Sequence, residues 1–264
     1  MITSLNRYPV KSLAGIPVDS LEIEPWGPVG DRRWGIVDAG SRERVSAREV
    51  HRTLHLVATP YDDGVRIASD GEEVAVATPY DGPEVPVGFS RLPVAVDAGD
   101  EAARFLTSAL GRDVRLVWQA DPTKRTVNPA NGGLSGDVLS LADAGPLLLC
   151  SESSLAQLQE WVGPEPELAM DRFRPNVVVA GFPPFAEDDW SRVLLGDVAF
   201  RMQHACDRCV VTTIDPVTLA TGPEPIRTLA RHRKWDGQVW FGVWLVPEGT
   251  GTIRVGDPAA QRPA

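Results

Sequence analysis

The amino-acid sequence predicts a mainly β protein with a few helices. Three observations carry that expectation: short β-patterned runs recur through both halves, helical periodicity is confined to a few stretches, and 24 Gly and 23 Pro supply many turns. At 264 residues the chain exceeds what one small core occupies, so two domains, or one large β domain, are expected.

Residues 2–10 (ITSLNRYPV) and 16–23 read as strands punctuated by Gly15 and Pro17, with Lys11 and Ser12 in the connection. The turn-rich residues 25–30 lead into Asp31-Arg32 and a further strand, which sets Arg32 at a turn-to-strand junction. Short strands are expected near 54–58, 64–67 and 73–77, at the spacing of a small barrel or sandwich. Residues 100–110 place Ala103, Phe105, Leu106 and Leu110 on one face, with acids in the first turn and Gly111 at the end, which predicts a helix. A strand at 114–118 follows. Residues 121–137 carry Pro, Asn and Gly without periodicity and read as a long surface loop. The expected division falls there, between 1–120 and 121–264.

In the second half, 146–150 reads as an apolar strand and 152–162 as a helix with Ser151 as its cap. Arg172-Phe173-Arg174-Pro175-Asn176 opens a strand over 177–180, and strands are expected at 193–195, 198–203, 210–214, 238–246 and 252–255. A short helix at 226–232 interrupts them.

The balance of 26 basic against 36 acidic side chains gives a net charge of -10, which opposes general binding to nucleic acid or anionic membranes. Any basic site must be local. Three cysteines cannot all pair, and a chain this long folds without disulfides, so a reducing cytoplasm is the expected setting. The amino terminus has no continuous apolar segment and no apolar run approaches a membrane span, so neither a secretory signal nor a membrane partner is expected.

Cysteines 206 and 209 stand in His204-Ala205-Cys206-Asp207-Arg208-Cys209. A lone Cys-x-x-Cys admits several readings: a redox pair, a zinc site using His204, Cys206, Cys209 and a distant His232, or free thiols packed as small hydrophobes. The redox reading wants a helix start, whereas a β-type run begins at Val210. A positive charge at Arg208 favours the thiolate at Cys209, the form that binds a soft or redox-active metal. Lys11, Ser12, Arg32 and Arg174 lie in turns beside strands; singly each reads as a surface group, but together they would form a phosphate-holding pocket. No glycine-rich nucleotide loop and no Ser-His-Asp spacing occurs, which disfavours nucleotide binding and serine hydrolysis.

Several ordered motifs together resemble a known family. Arg172-Phe173-Arg174-Pro175-Asn176, Asp189-Trp190, the run from Arg208 to Pro216, and Gly251-Thr252-Ile253-Arg254-Val255-Gly256-Asp257 resemble the MOSC domain. Tyr8-Pro9-Val10-Lys11-Ser12, Asp31-Arg32 and Ala47-Arg48 resemble the MOSC amino-terminal β-barrel domain. Within the family the chain is similar to the mitochondrial amidoxime-reducing component and its bacterial counterparts. That resemblance implies two β-barrel-like domains with a cofactor cleft between them. It also implies a molybdenum-molybdopterin (Moco) oxidoreductase that reduces N-hydroxylated compounds with electrons from a separate flavin or iron-sulfur donor protein. It maps molybdenum ligation onto Cys209, catalysis onto Cys209 and Arg208, and cofactor binding onto Lys11, Ser12, Arg32, Arg174, Asn176 and Arg208. Two departures stand out: Asp207 replaces a hydroxyl residue, and Ala144-Gly145 lacks the hydroxyls relatives often place there. The alternative is a sulfur carrier or cofactor-delivery module in which Cys209 or Cys206 bears a persulfide.

Overall fold

A computed structural model describes residues 1–262. The large sheet is nine-stranded and runs Ala259–Arg262, Arg192–Leu195, Val198–Asp207, Gln238–Pro247, Leu147–Ser151, Val177–Val179, Ile2–Arg7, Ile16–Val18, with Lys234–Trp235 paired to Gln238–Pro247. The pairs recorded in it are antiparallel except Leu147–Ser151 with Val177–Val179, which a helix bridges. That helix is α2, Glu152–Val162; α1 is Asp100–Leu110 and α3 is Ile226–His232. The expectation of a mainly β chain with a few helices holds.

Strand Leu147–Ser151 shows why its sequence is continuously apolar. Side chains alternate across a strand, so Leu147 and Leu149 enter one core with Ile2, Leu5 and Val243, while Leu148 and Cys150 enter another with Phe173, Phe241 and Trp244. Both faces are covered.

A third core belongs to the first half. It gathers Val10, Leu13, Ile36 and Val65 against Ala102 and Leu106 of α1. Around it lie a four-stranded sheet (Trp34–Asp38, Val114–Trp118, Leu92–Asp97, Glu84–Phe89) and a three-stranded one (Val57–Tyr61, Gly64–Ser69, Glu72–Ala77). The halves are stitched by pairing: Ile2–Arg7 lies antiparallel to Val177–Val179, and Ser20–Glu24 pairs with Gly251–Arg254.

Several local expectations are corrected. Residues 210–214 are not a strand: Val210–Thr213 is a 3-10 turn, because the Thr212 and Thr213 hydroxyls donate back to Cys209 O and Val210 O at 3.0 and 2.7 Å. Residues 16–23 break into Ile16–Val18 and Ser20–Glu24. Glu84–Phe89 is an additional strand whose Pro86 is tolerated because the strand lies at a sheet edge. The 121–137 loop is pinned by Asp121 and Asn128, whose carboxylate and amide oxygens accept from Thr123 N and Ala130 N. Ser151 sits at the start of α2, but its hydroxyl pairs with Ser153 rather than capping the helix. Among the described residues no helix is long and apolar enough to cross a membrane.

Candidate functional site

The segment around Pro9 lies against the segment around Arg32. Arg32 N donates to Tyr8 O at 2.6 Å, Trp34 N to Pro9 O at 3.2 Å and Lys11 N to Trp34 O at 2.8 Å. This lacing sets Lys11, Ser12 and Arg32 side by side although twenty residues separate them in the chain. Arg174 comes from the second half, at the end of the 3-10 turn Met170–Phe173, and donates to Leu13 O at 2.6 Å.

These residues line one cavity of about 130 Å³, together with Arg44, Arg48, Arg172 and Arg208. Its apolar floor is Leu148, Phe173, Cys206 and Trp244; Cys209 lies on its wall. Of the residues that line the cavity, two are carboxylates, Asp143 and Asp207. A chain with a net charge of -10 therefore concentrates positive charge in one concavity, as an anion-binding site requires.

The cationic end is braced from behind. Asp31 is fully buried and accepts from Tyr8 N, Arg32 Nη1 and Asn176 Nδ2 at 2.8, 2.6 and 3.0 Å. Asn176 Oδ1 accepts from Arg32 Nη1 at 2.9 Å. Tyr8 is clamped between guanidiniums, with Arg32 and Arg174 4.3 and 4.5 Å from its ring centre. Burial pushes the Tyr8 hydroxyl up to about 12, so it stays a neutral donor to Pro175 O. Ser12, Arg32 and Arg174 all have left-handed backbone, with φ of 74°, 47° and 56°. Such conformations cost on the order of 1 kcal/mol each and cluster where a site holds its residues in place.

Lys11 Nζ donates to Leu141 O at 2.8 Å and pairs with Asp143 at 2.5 Å. Burial draws the Lys11 ammonium down to about 8, while Lys11 holds the Asp143 carboxyl below its ordinary range despite the burial of its surroundings. Arg172 is buried, spends Nη2 on Asp215 at 2.5 Å and leaves Nε without a partner.

At the sulfur end the three thiols divide. Cys150 and Cys206 are packed in a hydrophobic core, and burial pushes both up to about 12. The small-hydrophobe reading therefore describes those two. Cys209 is only partly buried and opens on the cavity. Arg48 is a cationic neighbour of it, with a guanidinium raised above its ordinary value first by the charge of Cys209. Arg208, the cation that adjacency in the sequence points to, is turned elsewhere: it donates to Phe241 O and Phe173 O at 2.7 and 3.1 Å, and its Nη2 lies 3.7 Å from Cys150. The zinc reading finds no support, since among the described residues no group of three or more metal-ligating side chains comes together.

The structure thus brings Lys11, Ser12, Arg32, Arg174, Arg208 and Cys209 to one cavity and sets Asn176 behind it. Sequence reasoning gave no role to Arg44, Arg48, Arg172 or Asp143. Arg48 and Arg172 stood within the quoted motifs; Arg44 and Asp143 carried no signal. Gly145 has a packing reason: a Cβ there would come within 2.6 Å of Gln203 Oε1 and 2.8 Å of Trp244 Cβ.

A cofactor with an anionic phosphate and a soft metal fits these residues. The cationic end would hold the phosphate, Arg172 Nε is a buried donor awaiting an acceptor, and Cys209 is the accessible thiol.

Two family models match the sequence, the MOSC domain over residues 136–260 and the MOSC N-terminal beta barrel domain over residues 1–113. Mitochondrial amidoxime-reducing component 1 of Homo sapiens is 31% identical, over 97% of this chain and 81% of its own length. Mitochondrial amidoxime reducing component 2 of Rattus norvegicus is 31% identical over 95% of this chain and 80% of its own length. Molybdenum cofactor sulfurase of Danio rerio is 29% identical over 92% of this chain, but that match covers 31% of the longer protein.

Proposed function

The chain belongs to the MOSC family, and on that premise we propose that it is a molybdenum-cofactor oxidoreductase that reduces N-hydroxylated compounds with electrons from a separate donor protein. The observation that carries the reading is the convergence of Lys11, Ser12, Arg32, Arg174 and Cys209, from both halves of an acidic chain, on one cation-rich cavity.

In this reading Lys11, Arg32 and Arg174 hold the phosphate end of the pterin and Ser12 donates its hydroxyl. Asn176 acts through Arg32, which it holds in position. Cys209 ligates the metal, and Arg48 is the cation beside it. When bound, the cofactor supplies a soft redox centre that handles two electrons and an oxygen atom. The reaction is balanced as R–NH–OH plus two electrons and two protons, giving R–NH2 and water: the N–O bond breaks and its oxygen leaves as water. The protein excludes bulk solvent with the Leu148, Phe173 and Trp244 floor and offsets negative charge with its arginines. The three cysteines are free, as a reducing setting allows.

Metal analysis of gently purified protein, paired with turnover of a simple hydroxylamine-type compound by an artificial reductant, tests the reading. Near-stoichiometric molybdenum with releasable pterin is expected. Cys209→Ser should keep the fold and lose at least about a hundredfold in turnover, since even partners outside the metal's own ligands cost about 10- to 100-fold. Reactive sulfane sulfur without metal would instead support the persulfide carrier. For that carrier Cys206 is a poor choice, being buried with a thiol pushed up to about 12.

A further inference from the structure

The reduction written above draws two electrons from outside the cavity, and a hairpin paired to the strand that leads to Cys209 has features suited to a donor's approach. Residues 234–239 form a hairpin that carries Trp235, 40% exposed. Trp235 stacks on the buried Trp240 with ring centres 5.6 Å apart and planes 22° apart. Trp240 Nε1 donates to Trp235 O at 3.0 Å, which fixes the exposed residue. Trp240 is the cross-strand partner of Asp207, and its ring lies 5.1 Å from that of His204. Arg208 N donates to Val239 O at 2.7 Å, and Val239 pairs with Lys234. The near arm of the hairpin therefore adjoins the backbone of Asp207 and Arg208, and the Lys234–Trp235 arm is two strand spacings, roughly 10 Å, from it.

The stretch that leads into the hairpin is basic, unlike the chain as a whole. Residues 225–235 hold Arg227, Arg231, Arg233 and Lys234 and no carboxylate, in a protein of net charge -10. Arg227 is taken up by Glu224 and Arg233 by Asp188. Arg231 and Lys234 are exposed, and among the described residues neither has an ion-pair partner. The Arg233 guanidinium is stacked over Phe185 and Trp235, 4.1 and 4.9 Å from their ring centres. Asp236, at the hairpin tip, is the one carboxylate on the hairpin. An aromatic held rigid among arginines is the composition in which interface energy concentrates. An acidic partner is repelled by the chain's overall charge and is drawn to such a local basic patch, which orients the encounter.

We propose that the Trp235 hairpin, with the Arg231 end of α3, is the docking surface for an acidic one-electron carrier protein. The proposal rests on the reductase reading above. Each encounter oxidises one carrier by one electron, so two carriers serve one turnover; the two protons come from water, the N–O bond breaks, and amine and water leave.

The test uses the metal-loaded protein, a reduced acidic [2Fe-2S] ferredoxin as the carrier, and reduced methyl viologen as a small donor that needs no docking surface. Trp235→Ala and the double variant Arg231→Glu/Lys234→Glu should each lower ferredoxin-driven kcat/KM by about tenfold or more, the double variant should lose its salt dependence, and viologen-driven turnover should stay unchanged. Ferredoxin-driven rates equal to wild type in both variants overturn the proposal. So does a wild-type protein that turns over with viologen and not with ferredoxin, or a viologen rate that falls in step with the ferredoxin rate. If wild-type protein turns over with neither donor, the reductase reading itself fails and the docking surface falls with it.

Discussion

The two ends of the cavity are built in opposite ways. At the cationic end, Arg32 and Arg174 are clamped on Tyr8, bonded to buried Asp31 and Asn176 or to backbone carbonyls, and held in left-handed backbone. At the sulfur end, Cys209 heads a single 3-10 turn, with exposed Arg48, Asp207 and Val210 around it. The difference teaches which part of a ligand each end can accept. A preformed, desolvated set of cations suits the unchanging part of a cofactor, whereas an open end leaves room for a changing substrate.

The openness of the sulfur end is the easiest half of the comparison to break. In cofactor-free protein, iodoacetamide should label Cys209 and spare Cys150 and Cys206, read by mass spectrometry of peptides. Burial pushes those two thiols up to about 12, so their thiolate fraction at neutral pH falls about a thousandfold below that of an ordinary cysteine. Labelling of Cys206 at the rate of Cys209 would mean the core beneath the site opens and the contrast is false.

The bracing of the cationic end is tested by Asn176→Ala. The substitution removes an acceptor of Arg32 and a donor to Asp31 and leaves both groups buried. An unsatisfied buried group costs about 1–3 kcal/mol, so the free energy of unfolding from denaturant titration should drop by that amount and phosphate binding should weaken with it. A surface change such as Asp207→Asn should move stability by less than about 0.5 kcal/mol. Equal effects at the two ends would erase the distinction between them.

How much of this the sequence disclosed follows from the range of the forces involved. Period-two alternation and helical spacing are local, so the three helices and many of the strands were legible. Residues 210–214 misled because β-branched Val and Thr suit a strand, yet two threonine hydroxyls folding back decide a turn. The charged residues of the cavity were visible as types in turns. Their convergence depends on lacing between Tyr8 and Arg32 and on Arg174 reaching Leu13 across 161 positions, which no local pattern records. Side-chain direction is equally hidden: Arg208 adjoins Cys209 in the chain yet donates to Phe241 O and Phe173 O and lies 3.7 Å from Cys150, while Arg48 comes from the other half.

Acidity sharpens the comparison further, because the cationic end contains a group that titrates near physiological pH. Burial sets the Lys11 ammonium at about 8 against its ordinary 10.5. Binding of inorganic phosphate to cofactor-free protein should weaken about tenfold as pH rises through 8, because one charge-assisted hydrogen bond is lost. The sign for folding is the reverse. Lys11 binds its proton less tightly when folded than when unfolded, so its contribution to stability grows as pH rises from 8 to 10.5 and is lost again as pH falls through 8. Lys11→Met should flatten both slopes, and a phosphate affinity that keeps its decline in that variant would assign the titration to another group.

The smallest effect belongs to the open end. Asp207 brings a carboxylate to the cavity wall and is exposed, so it is screened and acts on a ligand only through charge. Two unit charges about 4 Å apart in water exchange roughly 1 kcal/mol, about fivefold in a rate ratio. Asp207→Asn should therefore raise kcat/KM for a carboxylated N-hydroxy compound by about that factor relative to an uncharged one, leaving the uncharged rate nearly as it was. The ratio is the quantity to measure, because any loss of cofactor lowers both rates together and cancels. If the ratio does not move, the carboxylate faces away from the substrate's path, and discrimination at this end must come from the apolar floor and Val211 instead.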